Sequence, residues 1–308
     1  MSRESDSGLY GILNLNKQGG MTSRTVVDRV VKTVGKGVKV GHAGTLDPLA
    51  TGILVVCVGP ATRLIEYVQR QTKTYRTVVR LDAISDTLDA DGNVTEIPGK
   101  ADPGLDAIRG AMAAQVGTIL QRPPEFSALK VAGKRAYSLA RAGKLVVLAP
   151  RLVTIHSVQI VTYDWPRLTL EVVCGGGTYI RAIARDVGEA LGCGGLVEVL
   201  ERTRIGDFAI DDAIDPGTLT PETVRSLLRP ALEAVTQLPS VRLSTEQVAE
   251  IAMGRAVVVS EPPQSGEIAL LAPDGILIAL GEMNAVSGKI EPRRVLIGVG
   301  HADASLKL

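Results

Sequence analysis

The segment GHAGTLDPLATGIL, residues 41–54, holds a single carboxylate, Asp47, in a Gly- and Thr-rich loop that runs directly into the apolar stretch ILVVCVG. A carboxylate before proline has a plain use. It starts a turn by accepting neighbouring N–H groups, and Pro48 stiffens the next step. Phosphate chemistry is the first rival reading, and the pattern disfavours it. The GxxxxGK[ST] loop is absent, and an aspartyl-phosphate site would bring a second acidic residue close by, where Pro48 and Leu49 follow instead.

Other reactive side chains are scattered. Cys57, Cys174 and Cys193 are odd in number and far apart, which excludes a full disulfide framework and reads as reduced core thiols. His42, His156 and His301 form no cluster with them, so no metal site is expected. The net charge of +1 does not mark a polyanion binder, but its distribution is uneven. Residues 117–151 hold seven Lys/Arg, among them Lys130, Lys134 and Arg135, against Glu125 alone, a local excess of +6 that suits phosphate contacts or a solvated loop.

The elements that must position these residues follow from periodicity. YGILNLN (10–16) reads as a strand, and Thr22 or Ser23 caps a helix whose inner face is Val26, Val27, Val30, Val31 and Val34. A buried strand, a helix over 61–69 and the alternating strand TYRTVVRLD come next. The acidic segment SDTLDADGN turns at Asp91-Gly92, and residues 101–116 are helical. The basic stretch 117–151 reads as an inserted arm. LTLEVVC (168–174) is a strand, and TYIRAIARDVGEALG an amphipathic helix with Ile180, Ile183, Ala184, Val187 and Leu191 inward. Without a repeated βαβ unit, the expected class is α+β: a mixed, largely antiparallel sheet with helices on its faces. RPALEAVTQLPS (229–240) reads as a connection between domains at 1–236 and 237–308, the second a small β-barrel-like module. No eighteen-residue apolar run and no signal-peptide core occur, so a soluble, cytoplasmic protein is expected.

The wording of the Asp47 loop carries a more specific signal. GHAGTLDPLATGIL, continuing through VVCVGPATR, closely resembles the signature of the TruB family of tRNA pseudouridine synthases. NKQGGMTS (16–23), KTYR (73–76) and GGGTYIRAIARDVG (175–188) resemble further motifs of that family in the same order, and QRPPEFSALKVAGKRAYSLARAG resembles its substrate-gripping insertion. The resemblance covers roughly residues 10 to 210 and implies the pseudouridine synthase fold with a C-terminal PUA-like domain.

What the resemblance implies is an isomerisation of the T-loop uridine at position 55 of tRNA, with no redox change and so no cofactor or metal. Asp47 is then the nucleophile and Arg181 the fixed cation that keeps it ionised. Arginine suits that task through its planar, always-charged fork. Tyr75 stacks on the base. The base must be flipped from a folded loop at a cost of roughly a few kcal/mol. His42 takes the vacated stack, and Lys17, Tyr179, Leu200 and Lys130 are further substrate contacts by the same resemblance. From residue types alone, Arg181 is an exposed helix arginine, Tyr75 a packed strand tyrosine, Lys17 a surface lysine and Leu200 a core residue.

Departures from the family pattern are few. Gln18 stands where proline is usual and Arg63 where lysine is usual. Residues 238–308 carry six Lys/Arg against eight Asp/Glu, and no aromatic follows Phe208, so any RNA contact there is by backbone and shape. The expected partner is the T stem-loop of tRNA, with no membrane and no guide RNA, and monomer is the default. The rival readings are the catalytic subunit of a guide-RNA-dependent particle and a non-catalytic tRNA-folding helper.

Overall fold

The computed structural model describes residues 8–127, 130–131, 134–135, 148–260, 263 and 266–297. Its main sheet has nine strands. These are β1 (Gly11–Lys17), β2 (Val40–His42), β3 (Thr51–Val58), β4 (Lys73–Arg80), β7 (Gly117–Gln121), β10 (Arg151–Asp164), β11 (Arg167–Cys174), β12 (Leu196–Ile205) and β13 (Phe208–Ala209). The order is β1-β3-β12-β4-β11-β10-β7, with β2 beside β3 and β13 beside β12. Every pairing is antiparallel except β3 with β12, so the expected mixed, largely antiparallel sheet is what forms.

The run ILVVCV forms a strand because both its faces are covered. Ile53, Val55 and Cys57 join one core with Ile12 and Phe208, while Leu54, Val56 and Val58 join another with Leu13, Leu15 and helix α1 (Ser23–Val34). Thr22 caps α1 by accepting the Thr25 N–H, and Val26, Val27, Val30 and Val34 are buried against β1 and β3. Beyond β12, Leu168, Leu170 and Val172 pack with helix α3 (Leu105–Ala113) and helix α4 (Ile180–Leu191), whose Ile180, Ile183, Ala184 and Val187 point inward. Short pairs β5 (Ala83–Ser85) with β6 (Val94–Glu96), and β8 (Lys130–Val131) with β9 (Lys134–Arg135), lie off the main sheet.

Three expectations need correction. The flanks of the basic arm belong to the sheet: residues 117–121 are its edge strand, and Arg151 opens β10 opposite Gln121. Residues 136–147 of that arm lie outside those described. The segment 229–240 is no linker, because Ala231, Ala234 and Val235 are core residues. The C-terminal module is an open four-stranded sheet rather than barrel-like. It comprises β14 (Ser240–Arg242), β15 (Glu267–Leu271), β16 (Leu277–Asn284) and β17 (Lys289–Val295), and residues 256–260 contribute only one bridge, Val257 to Ile290.

This second sheet shares a core with the first. Leu271, Leu277, Leu280 and Leu296 pack with Ile12, Phe208 and Val235. Helix α2 (Ile65–Arg70) forms the polar border. Arg294 bonds Glu66 at 2.6 Å and lies 5.4 Å above the Tyr67 ring, whose hydroxyl donates to Glu267.

Candidate active site

The loop between β2 and β3, residues 43–50, lies where the sheet divides. On one edge, β3 pairs with β12 only at Thr51 and Gly52, and with β2 only at Val56–Val58. Arg202 of β12 fills the gap between. Its Nε and Nη2 donate to the Ile53 carbonyl at 2.9 and 2.7 Å, and Nη2 also reaches the Gly44 carbonyl at 3.1 Å. The strands meet closely here because residue 52 is glycine. Its φ is +96°, and a Cβ would lie 2.3 Å from the Arg202 carbonyl oxygen.

Two further side chains pin the loop. The Ser23 hydroxyl both donates to the Leu46 carbonyl (3.1 Å) and accepts its N–H (2.9 Å). Lys17 is fully buried, and its ammonium donates to the carbonyls of Gln18, Met21 and Pro48 at 3.0, 2.7 and 3.2 Å. Burial lowers its pKa to about 8, with the Asp47 charge acting in the opposite sense. Lys17 therefore joins two loops and is not on the cavity wall, and the non-proline residue Gln18 supplies one of its carbonyls.

Asp47 starts a turn through its backbone, the Ala50 N–H donating to its carbonyl at 3.1 Å, which leaves the carboxylate to Arg181. Arg181, one residue into α4, is 4% exposed, and its Nε stands 2.9 Å from Asp47 Oδ2. That approach is a charge contact without hydrogen-bond alignment. The other nitrogens are anchored. Nη1 faces Asp89 Oδ2 at 3.2 Å and donates to the Thr87 carbonyl at 2.6 Å, and Nη2 donates to the Phe126 carbonyl at 2.9 Å. One guanidinium thus serves two carboxylates, Asp47 half-buried and Asp89 buried. Burial raises the Asp89 pKa, and the Thr87 hydroxyl and Arg181 pull it back.

The floor is one face of the β4–β12 pair. Tyr75 is directly opposite Arg202, and Leu200 opposite Thr77, so Lys73, Tyr75, Leu200 and Arg202 line one cavity of about 300 Å³ with Asp47 and Arg181. Burial raises the Tyr75 pKa while Arg202 draws it down. Lys73 is 6% exposed, and its ammonium donates to the Gln69 and Gln71 carbonyls at the end of α2. Its pKa falls to about 8, from burial and then from the Arg202 charge. At the mouth, the buried Gln121 amide brackets Tyr179, accepting its N–H at 2.9 Å and donating to its carbonyl at 3.1 Å, and Arg151 stacks 5.0 Å above the Tyr179 ring.

Of the residues expected from sequence, Asp47, Tyr75, Arg181, Tyr179 and Leu200 meet on this cavity. His42 ends β2 one residue before the wall begins and does not line it. Lys130 lies in β8, and its side chain falls outside the described residues, as do those of Lys134 and Arg135. Asp89, Lys73, Arg202 and Gln121 were not singled out, and Arg151 was counted only among the cations of the basic stretch 117–151. Strand alternation held a signal for two of them: Lys73 and Arg202 sit two residues from Tyr75 and Leu200, so they face the same way.

Comparison with known proteins matches this architecture. Residues 31–180 fit the model of the TruB family pseudouridylate synthase (N terminal domain), and residues 239–296 that of pseudouridine synthase II TruB, C-terminal. The chain is 40% identical over 293 residues to tRNA pseudouridine synthase B of Cereibacter sphaeroides, covering 93% of this chain and 96% of that one. The chain belongs to the TruB family of pseudouridine synthases. The namesake from Dinoroseobacter shibae is 38% identical over 305 residues, 95% of this chain and 97% of that one. The TruB fold extends to a chain of an H/ACA RNP bound to a substrate RNA containing 2′-deoxyuridine, with a TM-score of 0.70 at 24% identity over 93% of this chain and 85% of that one. Among the described residues no cluster of three His, Cys, Asp or Glu could hold a metal, and no helix is long and apolar enough to cross a membrane.

Proposed function

We propose that this chain isomerises the T-loop uridine at position 55 of tRNA to pseudouridine, with Asp47 as nucleophile. The observation that carries the reading is Asp47 held on the wall of a nucleoside-sized cavity, its carboxylate against a buried arginine fixed by three other partners. The reaction exchanges a C1′–N1 bond for a C1′–C5 bond within one nucleotide. It needs an ionised carboxylate near the sugar and walls that keep the detached base from leaving.

Arg181 provides the first requirement, because its fixed, always-charged guanidinium stands 2.9 Å from the Asp47 carboxylate. Tyr75 and Leu200 provide the second as flat and aliphatic walls. Tyr179 and the positive arm steer the RNA strand into the mouth, and phosphate contacts there set affinity rather than sequence. The sheet-rich C-terminal unit, about residues 237–308, is proposed as the PUA-like domain of a cytoplasmic, monomeric enzyme working on the folded tRNA.

The relatives named tRNA pseudouridine synthase B, at 38–40% identity over nearly the whole chain, favour this reading over the guide-dependent one. The test is a full-length tRNA transcript incubated with the protein alone, its pseudouridines mapped by carbodiimide adduction and primer extension. A single stop reporting position 55 is expected. Modification only when a guide RNA is added, or at another position, overturns the reading.

A further inference from the structure

Four cationic side chains line the cavity: Lys73, Arg151, Arg181 and Arg202. Arg181 is matched by Asp47 and Asp89. Lys73 and Arg202 are different. They are 6% and 2% exposed, stand on neighbouring strands, and donate to main-chain carbonyls, Arg202 also facing the Tyr75 hydroxyl, with no carboxylate in an ion pair with either among the described residues. Burying two like charges side by side is costly, and carbonyl dipoles offset only part of it. The wall they form flanks Tyr75 and lies at the floor of the cavity, while Asp47 approaches from the loop.

We propose that Lys73 and Arg202 form an anion site for the uracil ring itself, stabilising the negative charge the base carries while it is detached from the sugar. The inference rests on the proposed isomerisation. When the C1′–N1 bond breaks, its electron pair stays with the base and spreads from N1 to O2 and O4. C1′ meanwhile bonds to an Asp47 oxygen or loses a C2′ proton to become a glycal. Attack of Asp47 at C6 instead pushes the C5–C6 pair onto O4, so each route makes the base anionic. Reattachment uses the base's own pair to form C5–C1′ as the Asp47 oxygen leaves C1′ or the glycal takes back its C2′ proton; on the C6 route C5 displaces N1 from C1′, and the Asp47 oxygen leaves C6 as the C5 proton is lost. The C5 proton then leaves and N1 takes one up. Fixed positive charge in a dry site is most effective where charge develops. The Lys73 and Arg202 wall supplies it without touching the sugar side, where Arg181 already serves Asp47.

The test uses the full-length protein and two variants. Lys73→Gln keeps an N–H donor for the Gln69 and Gln71 carbonyls and removes the charge, while Lys73→Met removes both. Single-turnover tritium release is measured from a tRNA transcript labelled at uridine C5, alongside tRNA binding and melting. Both variants are expected to bind tRNA within about threefold of wild type and to react about 100-fold more slowly, the scale of losing one charge-stabilising group. A second transcript carries 5-fluorouridine, whose ring stabilises its own anion. There the deficit, followed as loss of the N-linked fluoronucleoside after nuclease digestion, should shrink below about tenfold. Lys73→Gln reacting like wild type, or equal deficits on the two transcripts, overturns the proposal and leaves Lys73 a brace for α2. Wild type that releases no tritium overturns the isomerase reading instead.

Discussion

Arg181→Lys tests the arginine clamp directly. The guanidinium makes four contacts in different directions: Asp47 at 2.9 Å, Asp89 at 3.2 Å, and the Thr87 and Phe126 carbonyls at 2.6 and 2.9 Å. A single ammonium on a shorter stem spans about half of these. Hydrogen bonds to charged groups contribute about 1.5–3 kcal/mol each. Two lost contacts, partly replaced by water on the open side of Asp47, amount to about 3 kcal/mol. If that loss falls on the placement of Asp47, the rate drops roughly 150-fold, at about 1.4 kcal/mol per factor of ten. The assay is single-turnover tritium release at saturating protein, with melting followed in parallel. Arg181→Met should be slower still, because Asp47 and Asp89 are then left without their shared cation. An Arg181→Lys rate within threefold of wild type, or an Arg181→Met rate no slower than that of Arg181→Lys, would refute the clamp.

Other consequences follow from the same geometry. Gly52→Ala places a Cβ 2.3 Å from the Arg202 carbonyl at a φ of +96°, and should cost at least about 2 kcal/mol, seen as a melting point several degrees lower. Lys17 and Lys73 both have pKa values lowered to about 8, so they lose their protons as pH rises through 8 rather than near the ordinary lysine value. A reaction that uses the Lys73 charge is near its full rate below about pH 7 and slows from pH 7 to pH 9; a flat profile over that interval contradicts this. Removing residues 238–308 bares the faces that pack on Leu271, Leu277, Leu280 and Leu296, and should lower the melting point or drive aggregation before any effect on tRNA affinity can be read. A truncated protein that melts like the full chain would show the shared core to be dispensable.

Much of the fold was readable because single elements carry their own period. The Val face of α1, the alternation of β4 and β11 and the inward stripe of α4 all depend on neighbours within the element. What escaped depends on distant partners. Residues 117–121 look like part of a basic arm until β10 is there to pair with them, and 229–240 looks like a linker until the second sheet packs on Ala231 and Val235. The barrel-like reading counted apolar runs, one of which forms only a single bridge.

The site divides in the same way. The Asp47 loop and the Arg181 helix are legible as motifs, and the fold brings them to 2.9 Å. Asp89 is hidden among the carboxylates of an acidic turn, yet Arg181 draws it into the interior. Lys73 and Arg202 are missed because a buried cation satisfied by carbonyls has no counter-charge in the sequence to point to it.

The most direct measurement compares wild type with Asp47→Asn on a tRNA transcript tritiated at uridine C5, without guide RNA. Asparagine keeps the shape of the loop and removes the attacking charge. Release of one tritium per tRNA by wild type, and none by Asp47→Asn at unchanged tRNA affinity, is the expected result. Release by Asp47→Asn at a wild-type rate would contradict the role of the Asp47 carboxylate, and silence from both proteins with tRNA bound would contradict the isomerase itself.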